Sequence, residues 1–173
     1  MIIIGYQGIG KSTLAGKYRY IDLESGNFWR CDETTGHAVR YDYWYISYCQ
    51  IAEHLSQQGF DVFVSSHEVV RKQLRNSKED VVVIFPSIHL KEYWIDKLRV
   101  RYEHSGLVKD YKAYMNAVDR YEENINEINN QEFEAGKIIR YEIGRIDYSL
   151  EDIIKEIKEN LEYRKRDRKY VEE

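Results

Sequence analysis

Ile2-Ile3-Ile4-Gly5-Tyr6-Gln7-Gly8-Ile9-Gly10-Lys11-Ser12-Thr13 is the stretch on which the fold turns. Three β-branched residues in a row, stopped by glycine, read as a parallel strand buried on both faces. Glycines at 5, 8 and 10 let successive backbone N–H groups converge on an anion, and Lys11 to Lys17 reads as a helix with Leu14 turned to the core. The pattern G-x-x-x-x-G-K-[ST] is met in full between strand and helix, the context it needs. It predicts a cradle for the phosphates of ATP with Mg²⁺, built from Gly5, Gly8, Ile9, Gly10, Lys11, Ser12 and Thr13. In that reading Lys11 neutralises charge between the β- and γ-phosphates and Ser12 ligates Mg²⁺.

Working outward, Tyr20 to Leu23 reads as a second strand, and the polar stretch 24–40 as a loop with short elements. From Tyr41 to Gln58, Trp44, Ile46, Ile51, Ala52 and Leu55 recur at helical spacing, with Gly59 as the cap glycine. Phe60 to Ser66 alternates as a strand does and leads into a helix from Glu68 to Asn76. Val81 to Phe85, closed by Pro86, is the clearest core strand. Leu90 to Tyr102 and Val108 to Ile128 read as two helices joined near Ser105-Gly106. The second carries Tyr111, Tyr114, Met115, Val118, Tyr121, Ile125 and Ile128 as a packing stripe. Lys137 to Ile143 is a last strand, and Ser149 caps a terminal helix whose Leu150, Ile153, Ile154, Ile157 and Leu161 face inward. Strands alternating with helices imply a parallel sheet covered on both faces, with ligands at the carboxyl ends of the strands.

Composition narrows the class. At 173 residues the chain suits one domain, and 43% hydrophobic with 32% charged residues and a single proline fits a folded globular protein. Cys31 and Cys49 make no disulfide framework or zinc pattern, and no apolar run approaches the roughly 18 residues of a spanning helix. A cytoplasmic protein without a membrane partner is the expectation. The net charge of −4 gives no overall pull toward nucleic acid; Arg164, Lys165, Arg166, Arg168 and Lys169 read as a solvated helix end.

On these motifs the sequence resembles the nucleoside-monophosphate-kinase-like group of P-loop kinases, which includes adenylate, shikimate and phage deoxynucleotide kinases. The resemblance implies a three-layer α/β fold over residues 1–173, with a five-stranded parallel sheet and a helical lid. An acceptor region would lie at about 22–58, and the lid with its associated helices at about 89–130. Lys97-Leu98-Arg99-Val100-Arg101 resembles the cationic lid motif, so Lys97 and Arg101, four apart on one helix face, would grip the triphosphate. Asp22-Leu23-Glu24 is similar to the paired acids of shikimate-type kinases. Two carboxylates two positions apart in extended chain point to the same side, which makes Asp22 the candidate for Mg²⁺ or base work.

Neither Val62-Phe63-Val64-Ser65 nor Val81 to Phe85 ends in the Asp of a Walker B strand, and Ser65, Ser66 and His67 stand in that place. In this group arginines hold acceptor phosphates; among Arg40, Arg71 and Arg75, Arg71 is preferred, because it starts the helix beyond Ser66. Glu24, Tyr41, Ser66 and Arg71 therefore form the expected acceptor site, its shape set by Phe28, Trp29, Trp44 and Tyr48. Arg145 to Tyr148 resembles the loop that borders adenine. The expected function is ATP-dependent phosphoryl transfer to a (deoxy)nucleoside monophosphate, with Lys11, Asp22 and Arg101 as catalytic residues. Two other readings stand beside it: a kinase acting on a hydroxyl of a small metabolite or of a modified base in DNA, and a non-catalytic ATP-binding module.

Overall fold

The computed structural model describes residues 1–130 and 138–171, apart from the side chains of residues 38 and 164–171. In chain order, β1 (Ile2–Gly5), α1 (Lys11–Leu14) and β2 (Tyr20–Asp22) are followed by a 3₁₀ turn at Ser25–Phe28. Then come β3 (Trp29–Cys31), β4 (Ala38–Arg40), α2 (Trp44–Gln57), β5 (Asp61–Ser65), α3 (Glu68–Leu74) and β6 (Val81–Pro86). After a short 3₁₀ turn, α4 (Lys91–Ser105), α5 (Val108–Asn130), β7 (Ile138–Ile143) and α6 (Leu150–Val171) complete the described chain.

Five strands form one parallel sheet in the order β2-β5-β1-β6-β7. The two unbroken apolar runs decide its centre. Ile2 lies between Val62 and Val81, and Ile4 between Val64 and Val83, all fully or almost fully buried. Burying each such side chain contributes about 1.5–3 kcal/mol, so any register slip here is costly. From β1 the chain crosses the sheet one way to reach β2; from β2 onward it runs the other way. Right-handed crossovers then put α1 on one face and α2 to α5 on the other. The terminal helix α6 joins α1, tied by Lys17 to Glu151 and by Lys158 to the buried Asp61 at the start of β5. The arrangement is a mixed α/β fold compatible with three layers. Its topological switch lies at the carboxyl end of β1, where a crevice opens.

Several elements differ from the sequence reading. The first helix stops at Leu14, one turn long, because Gly16 and the left-handed Arg19 (φ 77°) turn the chain straight into β2. The stretch read as loop holds a two-stranded antiparallel hairpin, β3 with β4, in which Trp29 faces Arg40. Its turn is fixed by Asp32, whose carboxylate accepts from the N–H groups of Thr34 (3.0 Å) and Thr35 (2.8 Å). The stripe on α5 is buried only in its second half, at Tyr121, Ile125 and Ile128, whereas Tyr111 and Val118 are exposed. A break at Arg120 (φ −135°, ψ 17°) separates the two halves. Two cap readings hold: Gly59 takes φ 88° after α2, and Ser149 Oγ accepts from Asp152 N–H (3.3 Å) at the start of α6. Lys137 and the side chains of Arg164, Lys165, Arg166, Arg168 and Lys169 lie outside the described residues. No helix among the described residues is long and apolar enough to cross a membrane.

Candidate phosphate-binding cleft

The segment from Gly5 to Ser12 folds over the carboxyl end of β1, at the switch point. A Cβ on Gly5 would stand 2.7 Å from Ile9 Cδ1 and 2.8 Å from Lys11 Cδ, so a side chain there would push the Ile9 and Lys11 side chains out of their present places. Gly8 and Gly10 take φ 82° and 107°, the left-handed region that side chains rarely adopt. Lys11 Nζ donates to Gly5 O (2.7 Å) across the loop. Desolvation pushes the Lys11 pKa down, with Asp22 and Glu24 opposing and the Arg101 charge adding to the shift. With α1 only one turn long, the helix dipole adds little, so the groups available to an anion here are the loop's own N–H groups and Lys11.

Gly8, Gly10, Lys11, Ser12 and Thr13 line one continuous cleft together with Asp22, Glu24, Ser66, Arg71, Lys97 and Arg101. Gly5 and Ile9 lie beneath it; Ile9 is buried, and its carbonyl accepts from Tyr148 OH (3.0 Å). Ser12 Oγ donates to Asp22 Oδ2 (3.4 Å), so the hydroxyl after the lysine and the acid at the end of β2 meet in space. Desolvation raises the Asp22 pKa; Lys11 opposes the rise most, and Glu24 adds to it. A hydroxyl and a carboxylate side by side are hard oxygen donors suited to Mg²⁺, which takes one or two carboxylates with substrate phosphates and water. Among the described residues no group of three or more His, Cys, Asp or Glu forms an all-protein metal cage.

The α4 helix forms the second wall, seated directly on the loop. Trp94 and Leu98 are fully buried, Trp94 Nε1 donates to Gln7 O (2.8 Å), and Gln7 Nε2 donates to Ala113 O (3.0 Å) on α5. Lys97 lies over the Trp94 and Tyr148 rings (4.6 and 4.9 Å) and donates to Tyr148 OH (2.9 Å). Those contacts hold the ammonium at the cleft edge, and desolvation lowers its pKa, with Arg101 assisting. Arg101 pairs with Asp110 Oδ1 (2.8 Å), whose other oxygen accepts from Ser105 Oγ (2.6 Å). The tip of the α4–α5 pair thus carries Arg101, and Lys109 beside it reaches Glu24 (3.5 Å) on the opposite wall.

On the acceptor side the residues expected to act together are divided. Ser66 lines the cleft, and its carbonyl accepts from Arg71. Arg71 is buried and paired with Glu127 of α5, so its guanidinium already binds a carboxylate. Tyr41 is not among the cleft-lining residues: it is half exposed, beneath the Arg30 guanidinium (5.5 Å). Arg40, on β4, lines the cleft instead. Its guanidinium stacks on Trp44 (4.2 Å) and Trp29 (5.1 Å) and donates to His67 Nε2 (3.1 Å) and Ser25 Oγ (3.4 Å). Since an arginine only donates, His67 Nε2 is the acceptor and the ring is neutral. Desolvation, Arg40, Lys11 and Arg71 push the His67 pKa down to about 4, in keeping with that tautomer. Arg75, the third arginine considered, does not line the cleft.

The third wall is α5, a helix the sequence reading placed with the lid without singling out its polar face. Lys109, Lys112, Asn116, Arg120, Asn124 and Glu127 line the cleft at spacings of three and four. That polar stripe, adjacent to the apolar one, was the available signal. No family model, no curated protein and no solved structure matches this chain. What fold and site define together is an α/β protein whose five-stranded parallel sheet presents a glycine-lysine-serine loop to a cation-lined cleft.

Proposed function

We propose that the chain is an ATP-dependent phosphotransferase whose acceptor is of the (deoxy)nucleoside monophosphate type. The observation that carries the reading is convergence. Lys11 and Ser12 of the glycine loop, Asp22 from β2 and the cations Lys97 and Arg101 from α4 line one cleft at the switch point of a parallel sheet. A triphosphate needs such a set, because phosphoryl transfer is catalysed mainly by positioning and by neutralising charge. In this proposal the loop N–H groups and Lys11 hold the phosphates, and Ser12 with Asp22 would hold Mg²⁺. The ion, when bound, would neutralise charge on the transferring group. Arg101 leaves Asp110 for the phosphates as the α4–α5 tip closes.

Arg40 supports an anionic acceptor. Among the described residues it has no carboxylate within ion-pair distance, and ring faces and a neutral histidine hold its guanidinium in the cleft. It takes the role first assigned to Arg71. A second reading, transfer to a hydroxyl, is favoured by the raised pKa of Asp22, since a carboxylate that holds its proton more tightly is a better base.

Incubation with MgATP and a panel of nucleoside monophosphates, free nucleosides and single-stranded DNA, following ADP release, separates the readings. Monophosphate-dependent turnover that Arg40→Ala weakens through acceptor KM is the expected result. Turnover only with hydroxyl acceptors moves the assignment to the second reading. ATP binding with no acceptor turnover leaves a non-catalytic module.

A further inference from the structure

A parallel ladder alternates its donors from strand to strand. Between β2 and β5 the last direct rung is Leu23 N–H to Phe63 O (2.9 Å). The next would be Ser65 N–H to Leu23 O. That rung is replaced: Tyr48 OH accepts from Ser65 N–H (2.8 Å) and donates to Leu23 O (2.6 Å). One hydroxyl from α2 thus stands between the two strands, one residue past Asp22 on one side and at Ser65 on the other.

Its position is fixed by packing. Tyr48 is fully buried, with Phe28 edge-on at 5.5 Å and Trp44 tilted at 5.4 Å. Both groups that lose their direct partner regain one in the hydroxyl, so the sheet opens by a single rung without leaving either backbone group unpaired. The opening lies where the cleft passes between Asp22, Leu23 and Glu24 on one strand end and Ser65 and Ser66 on the other. Ser65 Oγ is buried at the same rung, beside the Tyr48 hydroxyl.

We propose that Tyr48 is a positioning residue that holds the carboxyl ends of β2 and β5 apart, setting Asp22 against Ser12 and making the notch that admits the acceptor. The inference rests on the phosphotransferase reading for its consequence, but not for its geometry. Tyr48→Phe keeps the ring packing and removes only the oxygen. The strand ends then close, and Ser65 N–H pairs directly with Leu23 O.

The test compares wild-type and Tyr48→Phe full-length chains by three measurements: scalar coupling across a Ser65 N–H to Leu23 C=O hydrogen bond by NMR, calorimetric affinity for MgATP, and steady-state turnover. The expected result is a coupling present only in the variant and a melting temperature within a few degrees of wild type. Alongside these, kcat falls on the order of 10²-fold, the effect of a displacement of about an ångström, and ATP KM changes far less. A variant without the coupling, or one that fails to fold, overturns the assignment, because re-pairing is what keeps the sheet satisfied. Unchanged kcat in a variant that shows the coupling overturns the positioning role. A wild-type chain that neither binds nor turns over MgATP sinks the phosphotransferase reading instead, and the coupling still decides whether the hydroxyl holds the strands apart.

Discussion

Desolvation raises the folded-state pKa of Asp22 above 3.8, although Lys11 pulls against it, so the folded chain holds that proton more tightly than the unfolded one. The sign follows: where the folded state binds more protons, stability falls as pH rises. Ionised Asp22 therefore destabilises the fold above that window, and Asp22→Asn is expected to melt at or above the wild-type temperature at pH 7. The gap between the two proteins opens as pH rises from 3.8 to the raised value and disappears below it. Melts of both proteins from pH 3.5 to 7 check this, and an asparagine variant that is less stable at neutral pH contradicts it. On the proposed function the same substitution is expected to lower turnover. With a monophosphate acceptor, excess Mg²⁺ restores much of it, because only ion binding is weakened. With a hydroxyl acceptor the missing base costs about 10²–10⁴-fold, and metal concentration does not return it. Lys11 presents the parallel case on the cationic side, since desolvation disfavours its charge in the folded state. Lys11→Ala is expected to abolish turnover while leaving the melting temperature within a few degrees. Equal ATP turnover in mutant and wild type refutes the role given to the loop.

Helix α4 was expected to behave as a lid, yet Trp94 and Leu98 bind its first two turns to the glycine loop. The far end is held by ion pairs instead: half-exposed Arg101 pairs with the buried Asp110, and exposed Lys109 with Glu24. On the proposed function, Arg101→Ala is expected to lower kcat at least tenfold while changing ATP affinity in the binding step much less, because this cation would meet the phosphates only on leaving Asp110. Stopped-flow ATP binding beside steady-state turnover checks it; equal losses in both place Arg101 in ground-state binding. Gly8→Ala tests the seated end. Its Cβ would stand 3.1 Å from both Leu98 Cδ2 and Trp94 Nε1, at a φ of 82°. Backbone strain of about 1–3 kcal/mol should lower the melting temperature and abolish ATP binding together. At this scale the five strands of the parallel sheet were legible, since unbroken apolar runs such as Val81 to Phe85 have one stable placement, whereas the β3–β4 hairpin was read as loop. The one-turn α1 and the break at Arg120 were not legible either. Both are settled by where the chain must go next, and local periodicity carries no such information.

At the scale of the whole molecule, the cleft unites segments far apart in the chain: residues 8–13 of the glycine loop, 22–26 after β2, 65–68 after β5, 97–101 on α4 and 107–128 on α5. The glycine motif announced its own place, because its chemistry is encoded within eight consecutive residues. Sequence alone did not tell Arg40 from Arg71, for the opposite reason. Which arginine is captured by a carboxylate depends on Glu127, 56 residues beyond Arg71, and no local pattern records that pairing. Ligand binding should make the distant segments answer together. A ligand that binds only the folded state adds RT ln(1 + [L]/Kd), about 2.7 kcal/mol at a hundredfold excess over Kd. At roughly 2–4 °C per kcal/mol for a chain of this size, MgATP at that excess should raise the melting temperature by about 5–11 °C. Lys11→Ala should lose that rise. Chelating Mg²⁺ should reduce it in wild type and much less in Asp22→Asn, whose contribution to holding the ion is already gone. Hydrogen exchange should slow at the glycine loop and at the α4–α5 tip in the same titration, because a phosphate chain held by Lys11 and Arg101 joins them. If MgATP protects the loop but leaves the tip unchanged, the nucleotide binds without closure, and Arg101 stays with Asp110.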